Sequence, residues 1–74
     1  MKVEKLNLSV RIITILENNG YVDVEELAAD PKSVVASIRG LSQKDVEAID
    51  NALAELGIPF AEEETYEDED IFAL

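Results

Sequence analysis

The sequence lacks several residue types, and each absence excludes a class of site. There is no cysteine and no histidine among the 74 residues, so disulfides and zinc sites of the usual ligand types are excluded. The same absences remove two side chains that often serve as nucleophile or general base in enzymes. No apolar run is long enough to span a membrane, and no signal peptide is recognisable. We therefore expect a cytoplasmic, non-enzymatic protein with no metal, cofactor, membrane partner or small-molecule substrate.

Basic residues are also few. Lys and Arg number 6 against 17 acidic residues, which gives a net charge of −11. Nucleic-acid-binding proteins are usually basic, so this balance argues against a free-standing DNA or RNA binder and suits a protein with a basic partner. Seven of the 17 acids and none of the bases fall in residues 61–74. We predict a single domain over residues 1–60 and an acidic, mobile tail over residues 61–74.

Capping signals and apolar periodicity predict four helices joined by short connections. The helices are expected over residues 10–19, from 23 to about 29, from 30 to 40 and from 42 to 56. Their predicted N-caps are Ser9, Asp23, Asp30 and Ser42. Before them, Val3, Leu6 and Leu8 are expected to pack on the body as an extended arm. The pattern therefore predicts an all-α fold, a compact four-helix domain.

One hydrophobic core is expected from the apolar positions of these helices. The predicted core residues are Val10, Ile13, Leu16, Leu27, Val35, Ile38, Leu41, Val46, Ile49, Leu53 and Leu56.

The stretch over residues 37–57 holds the clearest local pattern. One helix ends at Gly40, Leu41 makes the turn, and Ser42 caps the last helix, with Asp45 completing a capping box. Such a small-residue turn exposes backbone N–H groups at a helix N-terminus, where a phosphate can bind, as in a helix-hairpin-helix element. The same pattern also fits a well-capped helical hairpin with no ligand.

Four segments follow one another in a recognisable order. They cover residues 6–11 (Leu-Asn-Leu-Ser-Val-Arg), 20–27, 38–49 and 53–57 (Leu-Ala-Glu-Leu-Gly). In this order and spacing they resemble the C-terminal domain of the bacterial RNA polymerase alpha subunit. The resemblance spans nearly all of the body and has no counterpart of the alpha subunit's assembly domain. It implies a free-standing relative of bacterial or phage origin, acting in transcription.

In that family the domain binds A/T-rich promoter DNA through the minor groove and contacts activators and sigma factor. The family's groove-reading arginine matches Arg11, and an arginine suits the negative potential of a narrow minor groove. A family lysine matches Lys44. Thr14 and Ser42 stand at two further DNA-contact positions, where the family has asparagine and glycine. The resemblance thus implies candidate DNA contacts at Arg11, Thr14, Ser42 and Lys44.

Other positions depart from the family pattern. Gln43 stands where the family has a lysine, and Asp45 stands where it has a phosphate-binding serine. An acid at residue 45 puts negative charge where a phosphate would lie, and phosphate contacts supply much of the affinity of such interfaces. Lys5 and Asn7 replace the family's acidic sigma-contacting residues. We therefore expect weak or absent DNA binding and an altered sigma contact.

Three functional hypotheses remain open. The first is a protein-interaction module that binds RNA polymerase or a transcription regulator and modulates transcription. The second is a weak DNA-binding protein that uses Arg11, Lys44 and the helix-hairpin-helix turn. As an alternative to groove insertion, Arg11 is expected to pair with Glu17 or to cap a nearby carbonyl. The third is an acidic decoy, whose tail masks a basic surface on its own body or on a partner.

The sequence ends in an acidic run followed by apolar residues. This end loosely resembles the partner-docking tip of bacterial single-stranded-DNA-binding proteins. The candidate docking residues are Ile71, Phe72 and Leu74, which would fill a pocket while the acids meet a basic rim. The alternatives are that Phe72 packs back on the domain or that the tip has no role.

Overall fold

The computed structural model describes residues 1–61, and within them it contains four α-helices and no β-strand. A 3-10 turn over Val3–Lys5 is followed by α1 (Val10–Asn18), α2 (Val24–Ala28), α3 (Lys32–Ala36) and α4 (Gln43–Glu55). The predicted all-α fold is confirmed. Residues 62–74, which make up nearly all of the predicted tail, lie outside the described residues. None of the helices in residues 1–61 is both long enough and apolar enough to span a bilayer.

Three of the predicted helix starts are confirmed by hydrogen bonds. The Ser9 Oγ accepts from the Ile12 N–H at 3.2 Å. A capping box opens α2, where Glu26 Oε1 accepts from the Asp23 N–H at 3.1 Å. A second box opens α4 between Ser42 and its third helical residue. Each cap satisfies a backbone donor that the first turn of a helix leaves unpaired.

The third helix begins later and ends earlier than predicted. Its N-cap is Pro31, with φ −66 and ψ 154, and not Asp30. The Asp30 carboxylate instead accepts a hydrogen bond from the Tyr21 hydroxyl. The helix ends at Ala36, and turns connect it to Gly40, where φ reaches +100°.

The N-terminal segment packs on the body, as predicted, but it is not simply extended. Val3 is fully buried and opens the 3-10 turn. Its N–H donates to the Val22 carbonyl at 2.9 Å, and the Val24 N–H donates to the Met1 carbonyl at 2.7 Å. Leu6 follows in the core at 6% exposure. The short helices leave a gap that this segment fills.

One core cluster joins the N-terminal segment and all four helices. Its buried members are Val3, Leu6, Ile12, Leu16, Val24, Leu27, Val35, Ile49, Ala52 and Leu53. Five predicted core positions are thus members, and Val46 is buried as well. The predicted residues Ile13, Ile38 and Leu41 are only partly buried and pack against the cluster.

Two predicted core residues are wrong. Val10 is 79% exposed and Leu56 is 40% exposed. Val10 precedes the buried Ile12 by two positions, and residues two apart on a helix point to nearly opposite sides. Leu56 is the C-cap of α4, one turn beyond the buried Leu53. Both residues lie at helix ends, where a correct apolar period does not guarantee that a neighbouring element covers the side chain.

Candidate functional site

Arg11 connects the start of α1 to the hairpin turn before α4. Its Nη2 donates to Asp45 Oδ1 at 2.7 Å, and its Nη1 donates to the Gly40 carbonyl oxygen at 3.2 Å. The predicted pairing with Glu17 is therefore wrong, and the predicted contact with a carbonyl is confirmed. The guanidinium bridges a charged and a neutral acceptor that are 5 residues apart in the sequence. This double contact fixes the direction of the side chain although it is 58% exposed.

Asp45 is the second half of this site. Its side chain is only 11% exposed, and its Oδ2 accepts from the Ser42 N–H at 2.9 Å while Oδ1 takes the hydrogen bond from Arg11. The Ser42 Oγ in turn accepts from the Asp45 N–H at 3.2 Å. The hydrogen bond from Arg11, followed by that from the Ser42 N–H, lowers the pKa of Asp45 below its ordinary value. The carboxylate is therefore ionised at neutral pH, with both oxygens engaged.

Two backbone donors at the N-terminus of α4 are satisfied by its own capping box. This helix has 13 residues, and its first turn would ordinarily present free N–H groups and a partial positive charge to an anion. Here the Asp45 carboxylate accepts one of these N–H groups and also receives the Arg11 guanidinium. An internal carboxylate thus occupies one backbone N–H at this turn and the Arg11 guanidinium.

Gly40 is required by the geometry of the turn. Its φ of +100° lies in the left-handed region, and an added Cβ would lie 3.3 Å from Ile15 Cδ1. Glycine therefore allows the turn to close against α1. Because its carbonyl accepts from Arg11, the turn and the arginine are held together.

The other candidate DNA contacts, Thr14, Ser42 and Lys44, are exposed. Thr14 lies one helical turn after Arg11 and so shares its face of α1. Ser42 is already used as a cap. Lys44 makes no hydrogen bond or ion pair within residues 1–61. The structure brings Arg11 and Ser42 together around Asp45, with Lys44 next to it in the sequence.

The sequence interpretation missed the pairing of Arg11 with Asp45. It considered Arg11 as a groove contact or as a partner of Glu17 or a carbonyl, and Asp45 as a replaced phosphate contact or a capping-box acid. A signal was present, because two family positions that touch the same DNA surface must lie close together. A carboxylate at one such position can therefore reach an arginine at the other.

Several predicted features are not part of this cluster. Lys5 and Asn7 are exposed residues of the N-terminal segment. The docking residues Ile71, Phe72 and Leu74 lie outside the described residues. Within residues 1–61, no three His, Cys, Asp or Glu side chains are grouped so that they could hold a metal ion.

Comparison with known proteins agrees with the resemblance seen in the sequence. Residues 1–55 match the model of the family described as the C-terminal domain of the alpha subunit of bacterial RNA polymerase. The protein is 38% identical over 58 residues to the DNA-directed RNA polymerase subunit alpha of Alkaliphilus metalliredigens, covering 78% of this sequence and 18% of that subunit. It is 41% identical over 54 residues to the same subunit of Mycoplasmoides gallisepticum, covering 73% of this sequence and 17% of that subunit.

The subunit of Desulfitobacterium hafniense is 37% identical over 60 residues, which covers 81% of this sequence and 19% of the subunit. The protein thus spans less than a fifth of the length of these relatives. The matched part includes Arg11, the hairpin turn and all of α4. The protein therefore belongs to the family of the C-terminal domain of the bacterial RNA polymerase alpha subunit.

Proposed function

We propose that the protein is a non-enzymatic interaction module of transcription, in which the family's DNA-binding site is weakened. Its partner would be RNA polymerase or a transcription regulator, in the cytoplasm. Membership of the family supports the link to transcription. The internal contacts of Arg11 support the loss of DNA affinity.

The observation that best supports weakened DNA binding is the ion pair between Arg11 and Asp45, in which Nη2 lies 2.7 Å from Oδ1. To enter a minor groove, Arg11 must leave both the carboxylate and the Gly40 carbonyl. A charge-assisted hydrogen bond is shorter and stronger than a neutral one, so this release costs free energy that DNA contacts must first replace. It would also leave a nearly buried carboxylate with one oxygen unpaired, which is unfavourable.

Repulsion adds to this cost. Asp45 would face the DNA backbone with a negative charge, and Gln43 cannot supply the positive charge that a lysine would. The described body carries ten acids against six bases, so its net charge of −4 also opposes the approach of DNA. The charge of Asp45, the missing cation at residue 43 and the net negative charge of the body all weaken contacts with DNA phosphates.

The test is binding of a fluorescent A/T-rich duplex at physiological salt, measured by anisotropy. We expect weak or no binding by the natural protein. The double variant Gln43→Lys with Asp45→Ser frees Arg11 and adds one cation, so it should bind. Adding Arg11→Ala to that double variant should remove the binding again. The gained affinity should fall with added salt, by a logarithmic slope of about 0.9 per phosphate contact.

A matched control separates the site from net charge. The pair Asn51→Lys with Glu55→Ser lies on the exposed side of the same helix and changes the charge by the same two units. It should bind much less than the double variant at residues 43 and 45. Equal binding by both pairs would show that charge alone decides. Submicromolar binding by the natural protein that Arg11→Ala abolishes would establish the alternative of a DNA-binding protein.

The protein-contact half of the proposal needs its own measurement. Immobilised full-length protein should retain purified bacterial RNA polymerase or one of its regulators at physiological salt, without added DNA. Arg11→Ala should leave this retention unchanged, because the arginine is engaged internally. If neither polymerase nor its regulators are retained, the interaction module is not supported, whatever the DNA result.

A further inference from the structure

Asn19 and Gly20 form the one Asn-Gly pair of the sequence, and they lie where α1 ends. Asn19 is the C-cap of the helix, and Gly20 follows with φ +91°. Both residues are exposed, and an added Cβ on Gly20 would meet nothing within 4 Å. The pair is at the opposite end of α1 from the contact between Arg11 and Asp45.

An Asn-Gly pair can modify itself with water as its only co-reactant. The backbone nitrogen of the glycine loses its proton to solvent and bonds to Cγ of the asparagine. The Cγ–Nδ2 bond breaks, and Nδ2 takes up a proton from solvent and leaves as ammonia. Water then opens the cyclic imide, at one carbonyl to give aspartate and at the other to give isoaspartate. Glycine favours the first step because no side chain shields its nitrogen.

The fold holds both reacting groups in hydrogen bonds. The Asn19 Nδ2, which is the leaving group, donates to the Ile15 carbonyl at 2.7 Å. The Gly20 N–H, whose nitrogen is the nucleophile, donates to the Glu17 carbonyl at 3.0 Å. The last carbonyls of α1 therefore restrain the two groups that would have to react.

The backbone conformation also keeps the reacting atoms apart. Ring closure requires the Gly20 nitrogen to turn about the Cα–C bond of Asn19 until it faces Cγ. At the observed ψ of 13°, that nitrogen lies beside the Asn19 nitrogen and is turned away from Cβ. The Tyr21 N–H donates to the Leu16 carbonyl at 2.9 Å and completes the Schellman motif that holds this conformation. The reaction therefore requires the end of α1 to open first.

We propose that Asn19 is a deamidation site that the Schellman motif of α1 keeps closed in the folded protein. The site reacts in molecules in which this end of the helix has opened, so its rate follows the population of the open form. Modification is therefore a chemical record of opening. It is independent of the DNA and polymerase contacts proposed above.

Neither product can restore the native end of the helix. Aspartate lacks the N–H that donates to the Ile15 carbonyl, and it puts a negative charge at a helix C-terminus, where the helix dipole disfavours it. Isoaspartate lengthens the main chain between residues 19 and 20, so the two hydrogen bonds of the Schellman motif lose their register. Deamidation should therefore loosen the connection from α1 to Val22, whose carbonyl accepts from the Val3 N–H.

Peptide mass spectrometry of the full-length protein, aged in mildly alkaline buffer, tests the site directly. The reference is a synthetic peptide of residues 14–25 in the same buffer, because so short a helix is marginal in water. In the peptide, Asn19 should convert many-fold faster than Asn18, which is not followed by glycine. In the folded protein, Asn19 should convert many-fold more slowly than in the peptide. Guanidinium chloride should remove the difference between protein and peptide.

Two outcomes of this experiment would overturn the proposal. Conversion of Asn19 in the folded protein at the rate of the peptide would show that the motif does not keep the site closed. Conversion of Asn19 no faster than that of Asn18 in the peptide would show that the pair is not a reactive site.

Hydrogen exchange at Gly20 provides an independent check, because the proton that exchanges is the one that the reaction removes. Its exchange in the folded protein should be slower than in the peptide, and equal rates would contradict the closed state.

The variant Asn19→Asp reproduces one product, and Asn18→Asp is its matched control. Both put the same charge in the last turn of α1, but the Asn18 side chain makes no hydrogen bond within residues 1–61. Asn19→Asp should therefore lower the melting temperature more than Asn18→Asp. Equal losses would contradict the restraint of Nδ2 by the Ile15 carbonyl.

Discussion

Leu53 offers the sharpest test of the fold. Its side chain is fully buried in the core cluster on α4. Leu53→Ala removes its apolar contacts and leaves a cavity, at a cost of about 2–5 kcal/mol. At about 0.05–0.15 kcal/mol per residue, the 61 described residues give a domain stability of about 3–9 kcal/mol. The substitution should therefore remove between about a quarter of the free energy of unfolding and all of it.

Leu56→Ala on the same helix is the matched control. It makes the same chemical change, but Leu56 is 40% exposed at the C-cap and loses less burial. We expect a cost below about 1 kcal/mol. The free energies come from urea unfolding followed by circular dichroism, which suits a protein without tryptophan. If Leu53→Ala is unfolded in water, the buried Ile49→Val should still show a graded loss of about 0.5–1.5 kcal/mol.

A cost below about half a kcal/mol for Leu53→Ala would show that Leu53 is not in the core and would refute the packing of α4. Equal costs for the two leucine variants would refute the assignment of different burial. Large losses at both residues would support the core predicted from the sequence, which included Leu56 as well as Leu53.

Three further predictions concern titration and the C-terminal tip. The hydrogen bond to Asp30, helped by burial and the charge of Asp30, raises the pKa of Tyr21 to about 12. Stability should therefore be lost from about pH 10 upward, and Asp30→Asn should lower the phenolate midpoint seen by ultraviolet absorption when the other tyrosine is Phe. Because the pKa of Asp45 is lowered by Arg11, its contribution is present above its unfolded pKa of about 3.9 and is lost below it. The melting-temperature advantage over Asp45→Asn should shrink across that range, and a constant difference would contradict the role of the charge. Deleting residues 71–74 should weaken polymerase or regulator capture without lowering the melting temperature, if Ile71, Phe72 and Leu74 form a docking peptide; a lower melting temperature with intact capture would contradict this.

The sequence by itself determined three of the four helix starts and the family. The caps are local. The Ser9 and Ser42 hydroxyls each accept from the backbone N–H three residues on, and the Glu26 side chain accepts from the Asp23 N–H. A capping preference that depends on residues only three positions apart can be recognised without knowing the fold. The order of residues 38–49 and 53–57 likewise needed no coordinates to indicate the family, which the family match over residues 1–55 then confirmed.

Tertiary structure decided what periodicity could not. Val10 has a plausible core position by spacing, yet no element covers it, since burial depends on what packs against a helix end. The sequence pattern predicts Asp30 as an N-cap, but its carboxylate accepts a hydrogen bond from the hydroxyl of Tyr21, 9 residues away in the sequence. Arg11 and Asp45 are 34 residues apart, and only the packing of α1 against the hairpin turn brings them to 2.7 Å. Local signals act within a turn of helix, whereas an ion pair across the fold requires that both elements be placed first.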